Sequence, residues 1–172
     1  MNNQITRIFI DIVIFCAFIF TSIYIYQVYG EDIKGWFTQE ERIVMFVQNL
    51  AVSVTVADDV EERRMGLSHT ESLEDLEGKL FVFDAEGYHR MWMKDMRFPI
   101  DMIFINNELE IVDIVENVLP ETYPLTFTSS DPARFVLETN AFFAKTFKVK
   151  EGQHVIIPPR YLPGDLQENL QE

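Results

Sequence analysis

The stretch HRMWMKDMRFPIDMIFINNELEIVDIV, residues 89–115, decides the fold of this chain. It contains two strand-like runs, at residues 89–95 and 100–105, separated by a short segment with a proline. An Asn-Asn turn signal follows at residues 106–107, and residues 109–115 supply a third strand-like run. Strands joined by such short turns predict an antiparallel β-meander at the centre of the domain.

Shorter patterns on both sides of this stretch predict the rest of the domain. Further strands are expected at residues 43–47, 52–56, 80–83, 134–139 and 154–157. Asp58 and Asp59 can cap a helix at residues 60–65, and another helix is expected at residues 141–147. Seven or eight short strands with two or three short helices predict an α+β domain, mainly antiparallel β, with a compact barrel-like sheet.

The most apolar part of the chain is residues 8–29, IFIDIVIFCAFIFTSIYIYQVY, in which Asp11 is the only charge. As a helix, these 22 residues extend about 33 Å, enough to cross a bilayer core about 30 Å thick. In lipid, a single segment satisfies its backbone hydrogen bonds only as a helix. The sequence therefore predicts one uncleaved N-terminal transmembrane helix. A cleaved signal peptide and a buried core helix are the alternatives.

The charges that flank this apolar segment predict its orientation. Arg7 precedes the segment, and two acids, Glu31 and Asp32, follow it. Because cytoplasmic flanks tend to be positive, the N-terminus is expected in the cytoplasm and the domain outside, in the periplasm or at the cell surface. The predicted parts are a membrane anchor, a juxtamembrane linker, a globular β-rich domain and a disordered acidic tail, at residues 1–30, 31–42, 43–158 and 159–172.

The composition limits the possible partners and chemistry. The chain has 28 Asp and Glu against 14 Lys and Arg, a net charge of −14 at pH 7. A field of that sign repels phosphate backbones, which excludes nucleic acid and leaves an envelope small molecule or protein as the expected partner. Cys16, the only cysteine, lies in the apolar segment, and the three histidines lack the spacing of a zinc-binding helix. The sequence therefore predicts no metal and no cofactor.

Six phrases follow one another along the chain: VTVADDVEERRMGL (54–67), GKLFVFD (78–84), MWMKDMRFPIDMIFIN (91–106), IVDIVENVLP (111–120), DPARFVLE (131–138) and EGQHV (151–155). Together they resemble the family known as domain of unknown function 192, over about residues 50–157. The resemblance implies a small, mostly β domain, often exported or lipid-anchored in bacteria, with no agreed activity. The chain departs from the usual family pattern at GLSHT, MKDM and ETNAFF.

The Trp-Met-Lys block supplies the first candidate site residues. Trp92 and Lys94 are expected on the same face of a strand, because side chains alternate with a period of two. Folding the chain back at the proline would bring Asp101 near Lys94. A carboxylate in an apolar run needs a partner, since burying an unpaired charge is costly. The hypothesis is a Lys94–Asp101 ion pair, which could fix the hairpin, bind a ligand or take part in catalysis.

A later strand supplies further candidates. Arg134 and Glu138 are two strand periods apart, so they are expected on one face. Arg134 can bind a carboxylate or phosphate through two parallel hydrogen bonds, or pair with a nearby acid. The methionines of residues 91–102, interleaved with aromatic residues such as Phe104, are more typical of a core than of a copper site.

These patterns favour a membrane-tethered binding or accessory domain in the cell envelope. The candidate binding residues combine apolar and polar side chains: Trp92, Lys94, Asp101, Phe104, Arg134 and Glu138. One alternative is an enzyme that acts on an envelope sugar or lipid, with Asp101 and Glu138 as its carboxylates. The other is a purely structural or protein-interaction module. No catalytic motif occurs in the sequence, so the question of catalysis stays open.

Overall fold

The computed structural model describes residues 13–27 and 41–168. The chain divides into two compact units, residues 1–40 and 41–172. In the first unit, residues 13–27 form helix α1, and the side chains of this helix are exposed.

The N-terminal predictions are tested only within the described residues. There, no helix is both long enough and apolar enough to cross a membrane. The two ends of the predicted span 8–29 lie outside the described residues. The same is true of most of the predicted linker 31–42.

The second unit is built on one seven-stranded sheet and one separate two-stranded sheet. Its strands in the described residues are β1 Arg42–Val47, β2 Leu50–Ala57, β3 Glu77–Gly87, β4 Met91–Trp92, β5 Ile100–Ile105, β6 Ile111–Val118, β7 Thr126–Phe127, β8 Ala133–Asn140 and β9 Val155–Ile156. The short α-helices that accompany them are α2 Val60–Met65, α3 Phe143–Phe147 and α4 Gly164–Glu168. Single turns of 3-10 helix lie at Pro120–Thr122 and Pro159–Tyr161.

The large sheet has the strand order β6–β5–β8–β3–β2–β1–β9, and its neighbours are antiparallel except for β2 and β3. A parallel pair needs a crossover connection, and α2 lies in the connection between these two strands. A bridge between Glu110 and His154 links the two ends of the strand order. The sheet therefore curls into a barrel-like shape, which confirms the predicted mixed α+β, mainly antiparallel fold.

The predicted central meander forms only in part. β5 and β6 make the expected antiparallel hairpin, but residues 89–95 do not pair with β5. Only Met91–Trp92 of that run is a strand, and it pairs with β7 in the small sheet. A strand has two edges, and β8 already occupies the second edge of β5 through six residue pairs. This part of the prediction was wrong, because local alternation does not show which distant strand pairs with a given edge of β5.

Apolar side chains form two clusters on opposite faces of the large sheet, because neighbouring residues in a strand point to opposite sides. The interior cluster fills the barrel-like curl and includes Met45, Leu80, Ile103, Phe135 and Leu137. The outer cluster lies on the other face and includes Phe81, Met93, Met102, Phe104 and Val136. All six residues of β5 are buried, since β5 contributes to both clusters.

The C-terminal segment differs from the disordered tail predicted for residues 159–172. Leu162 is buried in the interior cluster, and Tyr161 and Leu166 pack against that cluster. The segment also forms a 3-10 turn and helix α4. These apolar side chains hold residues 159–168 on the domain, although the proline and acidic content resembles that of a disordered tail. Residues 169–172 lie outside the described part of the chain.

Candidate ligand-binding site

A pocket of about 430 Å³ opens over part of the outer cluster. Its floor is formed by Phe81, Phe83 and Glu138 from the sheet. One wall is α2 with the turn that follows it, and the other wall comes from residues 90–96. We name this cavity the Glu138 pocket. Its volume falls within the range of about 300–1,000 Å³ that is common for small-molecule sites.

The first wall is positioned by the capping of α2. The Asp59 carboxylate accepts a hydrogen bond from the backbone N–H of Glu62 at 2.8 Å. In return, the Glu62 carboxylate accepts one from the backbone N–H of Asp58 at 3.2 Å. These bonds satisfy N–H groups at the start of a helix, where no intrahelical partner exists. The cap predicted from the two aspartates is therefore confirmed.

Gly66 ends α2 close to the pocket floor. Its φ of 53° lies in the left-handed region that favours glycine. A Cβ atom at this position would lie 3.1 Å from Cζ of Phe81, closer than an ordinary van der Waals contact. Glycine therefore allows the wall to turn away tightly while it stays against the floor.

Two hydrogen bonds join the walls at one end of the pocket. The Ser68 hydroxyl donates to the carbonyl oxygen of Lys94 at 2.9 Å. The backbone N–H of His69 donates to the carbonyl oxygen of Asp95 at 3.1 Å. Because these bonds link the turn after α2 to the opposite wall, they fix the distance between the two walls at that end.

Glu138 is the buried ionisable group of the pocket floor. Only 3% of the residue is exposed, and it lies opposite Lys79 on β3 and Met102 on β5. Burial raises the pKa of the Glu138 carboxyl group to about 8, and the positive charge of Lys79 offsets part of that increase. No hydrogen bond to this carboxyl group occurs among the described residues. At neutral pH the group is therefore mainly protonated and can both donate and accept a hydrogen bond.

The α2 wall carries two arginines that already have partners. The Arg63 guanidinium donates to the carbonyl oxygen of Val82 at 2.8 Å and lies 5.6 Å from the centre of the Phe83 ring. The Arg64 guanidinium pairs with the Glu61 carboxylate at 2.9 Å. Both arginines therefore add positive charge to the wall while their hydrogen-bonding groups are engaged within the domain.

The opposite wall carries two cations without such partners. The side chains of Arg90 and Lys94 line the pocket, and neither makes a hydrogen bond or an ion pair within residues 13–27 and 41–168. Trp92 lies between them in sequence, is 42% exposed and makes an edge-to-face contact with Tyr123. This wall therefore combines an exposed aromatic surface with two available positive charges.

The same part of the chain matches a known family. The family model for domain of unknown function 192 (DUF192), described as an uncharacterized ACR, matches residues 43–157. This chain belongs to the DUF192 family. The matched residues include the floor and both walls of the Glu138 pocket.

Two solved structures are similar to this DUF192 domain. A proposed transcription regulator from Sinorhizobium meliloti 1021 is 30% identical, with a TM-score of 0.61; the match covers 67% of this chain and 91% of that chain. A protein of unknown function from Novosphingobium aromaticivorans DSM 12444 is 23% identical, with a TM-score of 0.63, and shows the fold alone. That match covers 67% of this chain and 85% of the other. A comparison with curated proteins found no match.

Asp101 has a different role in the DUF192 domain from the one expected. Its fully buried carboxylate accepts three backbone hydrogen bonds, from Asn117 at 2.8 Å, Phe142 at 3.0 Å and Ala144 at 2.9 Å. The last two donors lie at the start of α3, so Asp101 caps this helix from β5. The predicted Lys94–Asp101 ion pair is not formed between these two described residues, because backbone N–H groups take the place expected for Lys94.

The carboxyl groups of Asp101 and Glu138 do not face each other. In the pairing of β5 with β8, Asp101 lies opposite Thr139, whereas Glu138 lies opposite Met102. Adjacent positions in a strand point to opposite faces, so the two carboxyl groups lie on opposite sides of the sheet. These two residues therefore do not form the carboxylate pair expected for the alternative of an enzyme that acts on an envelope sugar or lipid.

Arg134 and Phe104 also lie away from the Glu138 pocket. The Arg134 guanidinium is buried and donates to the Asp165 carboxylate at 2.8 Å. Arg134 lines a second cleft of about 380 Å³, beside the C-terminal segment. Phe104 is fully buried in the outer cluster and lines neither cavity. Of the sequence candidates, the pocket therefore brings together Trp92, Lys94 and Glu138.

Other residues of the pocket were not among the sequence candidates. They are chiefly floor and wall residues: Leu67, Phe81, Phe83 and Arg90. A usable signal for the floor was the alternation in GKLFVFD, which puts Phe81 and Phe83 on one face of β3. No local sequence pattern links Arg90 to Glu138, because the two residues line one pocket only as a result of the packing of the second wall on the sheet.

Proposed function

We propose that this DUF192 domain binds a small molecule in the Glu138 pocket. The observation that carries the proposal is the Glu138 carboxyl group, which is buried in the pocket floor and has no hydrogen-bond partner among the described residues. Among the described residues, the fully buried side-chain atoms without a partner are Asn107 Oδ1 and Arg134 Nε, so the Glu138 oxygens open into the pocket, where water or a ligand can reach them. A ligand that hydrogen-bonds to Glu138 would supply the missing partner.

The surroundings of Glu138 support ligand binding over the alternatives. Phe81 and Phe83 provide an apolar floor, and the lining as a whole combines a majority of apolar residues with a smaller number of polar ones, which is the usual makeup of a small-molecule site. A purely structural module has no need for such a cavity. The enzyme hypothesis depended on Asp101 and Glu138 acting together, and these residues lie on opposite faces of the sheet.

The proposal includes attachment to a membrane through residues 8–29, with the domain in the cell envelope. The apolar length of this segment and its single charge support the attachment. Within α1, large apolar side chains such as Phe18 and Phe20 are more than two-thirds exposed, at 70% and 73%. Lipid would cover these side chains. Arg7 before the segment supports an outward-facing domain.

The location can be tested with the full chain in a bacterial host. A C-terminal epitope tag should be recovered in the membrane fraction after a carbonate wash, which removes peripheral proteins. Protease added to intact spheroplasts should remove the tag. Release of the protein by carbonate would contradict the anchor, and protection of the tag until the cells are lysed would contradict the orientation.

The binding test can use residues 41–172 as a separate fragment. These residues form one compact unit, with its own apolar clusters. In the two similar solved structures, the matched domain makes up 91% and 85% of the chain, so domains of this size fold by themselves. Trp36 lies outside the fragment, so Trp92 is its only tryptophan.

The probe for the pocket is N-phenyl-1-naphthylamine, an uncharged dye that fluoresces in apolar sites. We expect saturable binding, energy transfer from Trp92 to the bound dye, and stabilisation by about 2.7 kcal/mol at 100 times the dissociation constant. Phe83→Ser in the pocket floor should weaken binding. The matched control is Phe46→Ser on β1, where Phe46 is partly exposed and outside the pocket. Equal effects of the two substitutions, or no saturable binding, would overturn the proposed site.

A further inference from the structure

We infer that the ligand of the Glu138 pocket is a small anionic amphiphile, whose acidic group binds Arg90 and Lys94 at the rim while its apolar body lies on the floor. This inference rests on the proposed function and specifies the chemistry of the ligand. It follows from the charges of the lining, the partners of those charges and the position of Glu138.

The charge of the pocket lining is opposite to that of the whole protein. The chain has a net charge of −14, yet the ionisable groups that line the pocket are four cations and one carboxyl group. The carboxyl group is Glu138, which is mainly neutral at pH 7 because burial raises its pKa to about 8. A concave site lined by one sign of charge attracts ligands of the opposite sign. The lining therefore selects for an anion, although the surrounding surface repels anions.

The cations at the rim are available to a ligand. Arg90 and Lys94 lie on the second wall, and their side chains have no polar partner among the described residues. Arg90 is exposed and Lys94 is half-buried, so both can move toward an anionic group in the pocket mouth. Arginine can bind a planar acid through two parallel hydrogen bonds, and lysine adds a point charge.

The floor of the pocket favours a ligand whose apolar part lies on the floor, with its acidic group outward at the rim. Phe81 and Phe83 provide aromatic surface, and Met91 and Met96 provide flexible apolar contacts at the second wall. Glu138 forms part of the same floor as a mainly neutral hydrogen-bonding group. A ligand with its acid outward thus satisfies the rim cations, covers the apolar floor and leaves an inner polar atom for Glu138.

One ligand chemistry could come from two sources, a dissolved amphiphile or an anionic lipid in a bilayer. The pocket volume of about 430 Å³ matches one small molecule. A diacyl lipid would have to leave its two chains in the bilayer and insert only its headgroup, which would not use the apolar floor. The floor therefore favours a dissolved small molecule.

The experiment compares two dyes that differ in charge on the 41–172 fragment. The anionic dye is 1-anilinonaphthalene-8-sulfonate, and the uncharged dye is N-phenyl-1-naphthylamine, which has the same ring system without the sulfonate. At pH 7 we expect the anionic dye to bind about tenfold more tightly. Energy transfer from Trp92 reports binding to the fragment, and loss of binding in Phe83→Ser shows that each dye lies in the pocket.

The decisive variant is R90M/K94M, which removes the two rim cations. It should abolish the preference for the anionic dye by weakening the binding of that dye, while the uncharged dye still binds saturably. The matched control is K145M/K150M, which removes the same number of positive charges at exposed positions outside the pocket. The control should retain the preference. The exchange R90K/K94R keeps both charges and should retain it as well.

The outcomes separate this inference from the proposed function. If neither dye binds, the ligand-binding function fails. If both dyes bind with equal affinity, or if R90M/K94M keeps the preference, only the inferred anionic chemistry fails. If K145M/K150M loses the preference as R90M/K94M does, general electrostatics explain it and the rim assignment is overturned.

A final arm distinguishes the dissolved ligand from a bilayer lipid. Vesicles of phosphatidylcholine with phosphatidylglycerol are mixed with the fragment and sedimented. We expect the fragment to stay in solution and the anionic dye to keep its affinity in the supernatant. Sedimentation that depends on Arg90 and Lys94, together with displacement of the dye, would overturn the assignment to a dissolved molecule.

Discussion

Two buried carboxyl groups on neighbouring strands have opposite surroundings. Asp101 on β5 accepts three backbone hydrogen bonds, whereas Glu138 on β8 has no hydrogen-bond partner among the described residues. Both residues are almost completely buried. The difference shows that burial of an acid does not by itself indicate function. Asp101 completes the fold, while Glu138 retains the capacity to bind something that the domain does not provide.

The largest expected effect comes from removing the satisfied carboxylate. Asp101→Ala should lower the free energy of unfolding by about 4 kcal/mol, because each buried N–H group left without an acceptor costs about 1–3 kcal/mol. Urea denaturation of the 41–172 fragment measures the effect. Asp75→Ala, at an exposed acid, is the control and should change stability by less than about 0.5 kcal/mol. A loss for Asp101→Ala as small as that of the control would show that the cap on α3 is dispensable.

The next effect concerns the pH dependence of Glu138. The unfolded carboxyl group has the ordinary pKa of 4.5, and the folded group has a pKa of about 8. Between these values the unfolded chain loses the proton and the folded domain keeps it, so stability falls as pH rises. The contribution is complete below about pH 4.5 and lost above about pH 8. From pH 5 to 8 the decrease should be on the order of 3 kcal/mol.

Glu138→Gln isolates this contribution from the other titrating groups. Glutamine stays neutral, so the variant should not show the Glu138 part of the decrease. The measurement is the difference between the urea stabilities of wild type and variant at several pH values. Parallel pH profiles for the two proteins would mean that the carboxyl group is solvated or paired in the folded domain.

Asp101 and Glu138 also show how much of the structure could be predicted from the sequence. The cap formed by Asp59, the strands of the large sheet and the burial of Asp101 follow from local patterns. The partner of Asp101 does not, because the N–H group of Ala144 lies 43 residues later in the chain and carries no side-chain signal. A charged side chain such as Lys94 is visible in a sequence as a possible partner, whereas a free backbone N–H group is not.

The sequence allowed individual residues of the candidate site to be predicted, but not their arrangement in space. Trp92, Lys94 and Glu138 were each recognisable from their place in a strand-like run. Their meeting depends on β8 lying between β3 and β5, and on the wall that contains Trp92 leaving the large sheet. Both features depend on pairing between strands that are far apart in the sequence. Alternation along the strand placed Arg134 on the same face as Glu138. In the structure, however, Arg134 pairs with Asp165 of the C-terminal segment and does not line the Glu138 pocket.

A smaller effect is expected from narrowing the pocket at Gly66. Gly66→Ala should lower the free energy of unfolding by about 1–2 kcal/mol, since it places a side chain at a φ of 53°. The added methyl group would also lie against Phe81, so dye binding should weaken. Gly164→Ala is the control, because no atom lies within 4 Å of its added Cβ. Unchanged stability and binding for Gly66→Ala would show that this wall can shift away from the floor.

The smallest effect tests Arg134, another buried charged residue that has a partner. The Arg134 guanidinium is 5% exposed and pairs with the Asp165 carboxylate, which is 60% exposed. Asp165→Asn keeps a hydrogen-bond acceptor and removes the charge, so we expect a loss of only about 1 kcal/mol. The loss should come with faster proteolysis of residues 159–168, because the pair holds this segment on the domain. Glu168→Gln, at an exposed acid of the same helix, should change neither quantity. If both variants are cleaved at the wild-type rate, Leu162 and its apolar neighbours hold the segment on the domain without the ion pair.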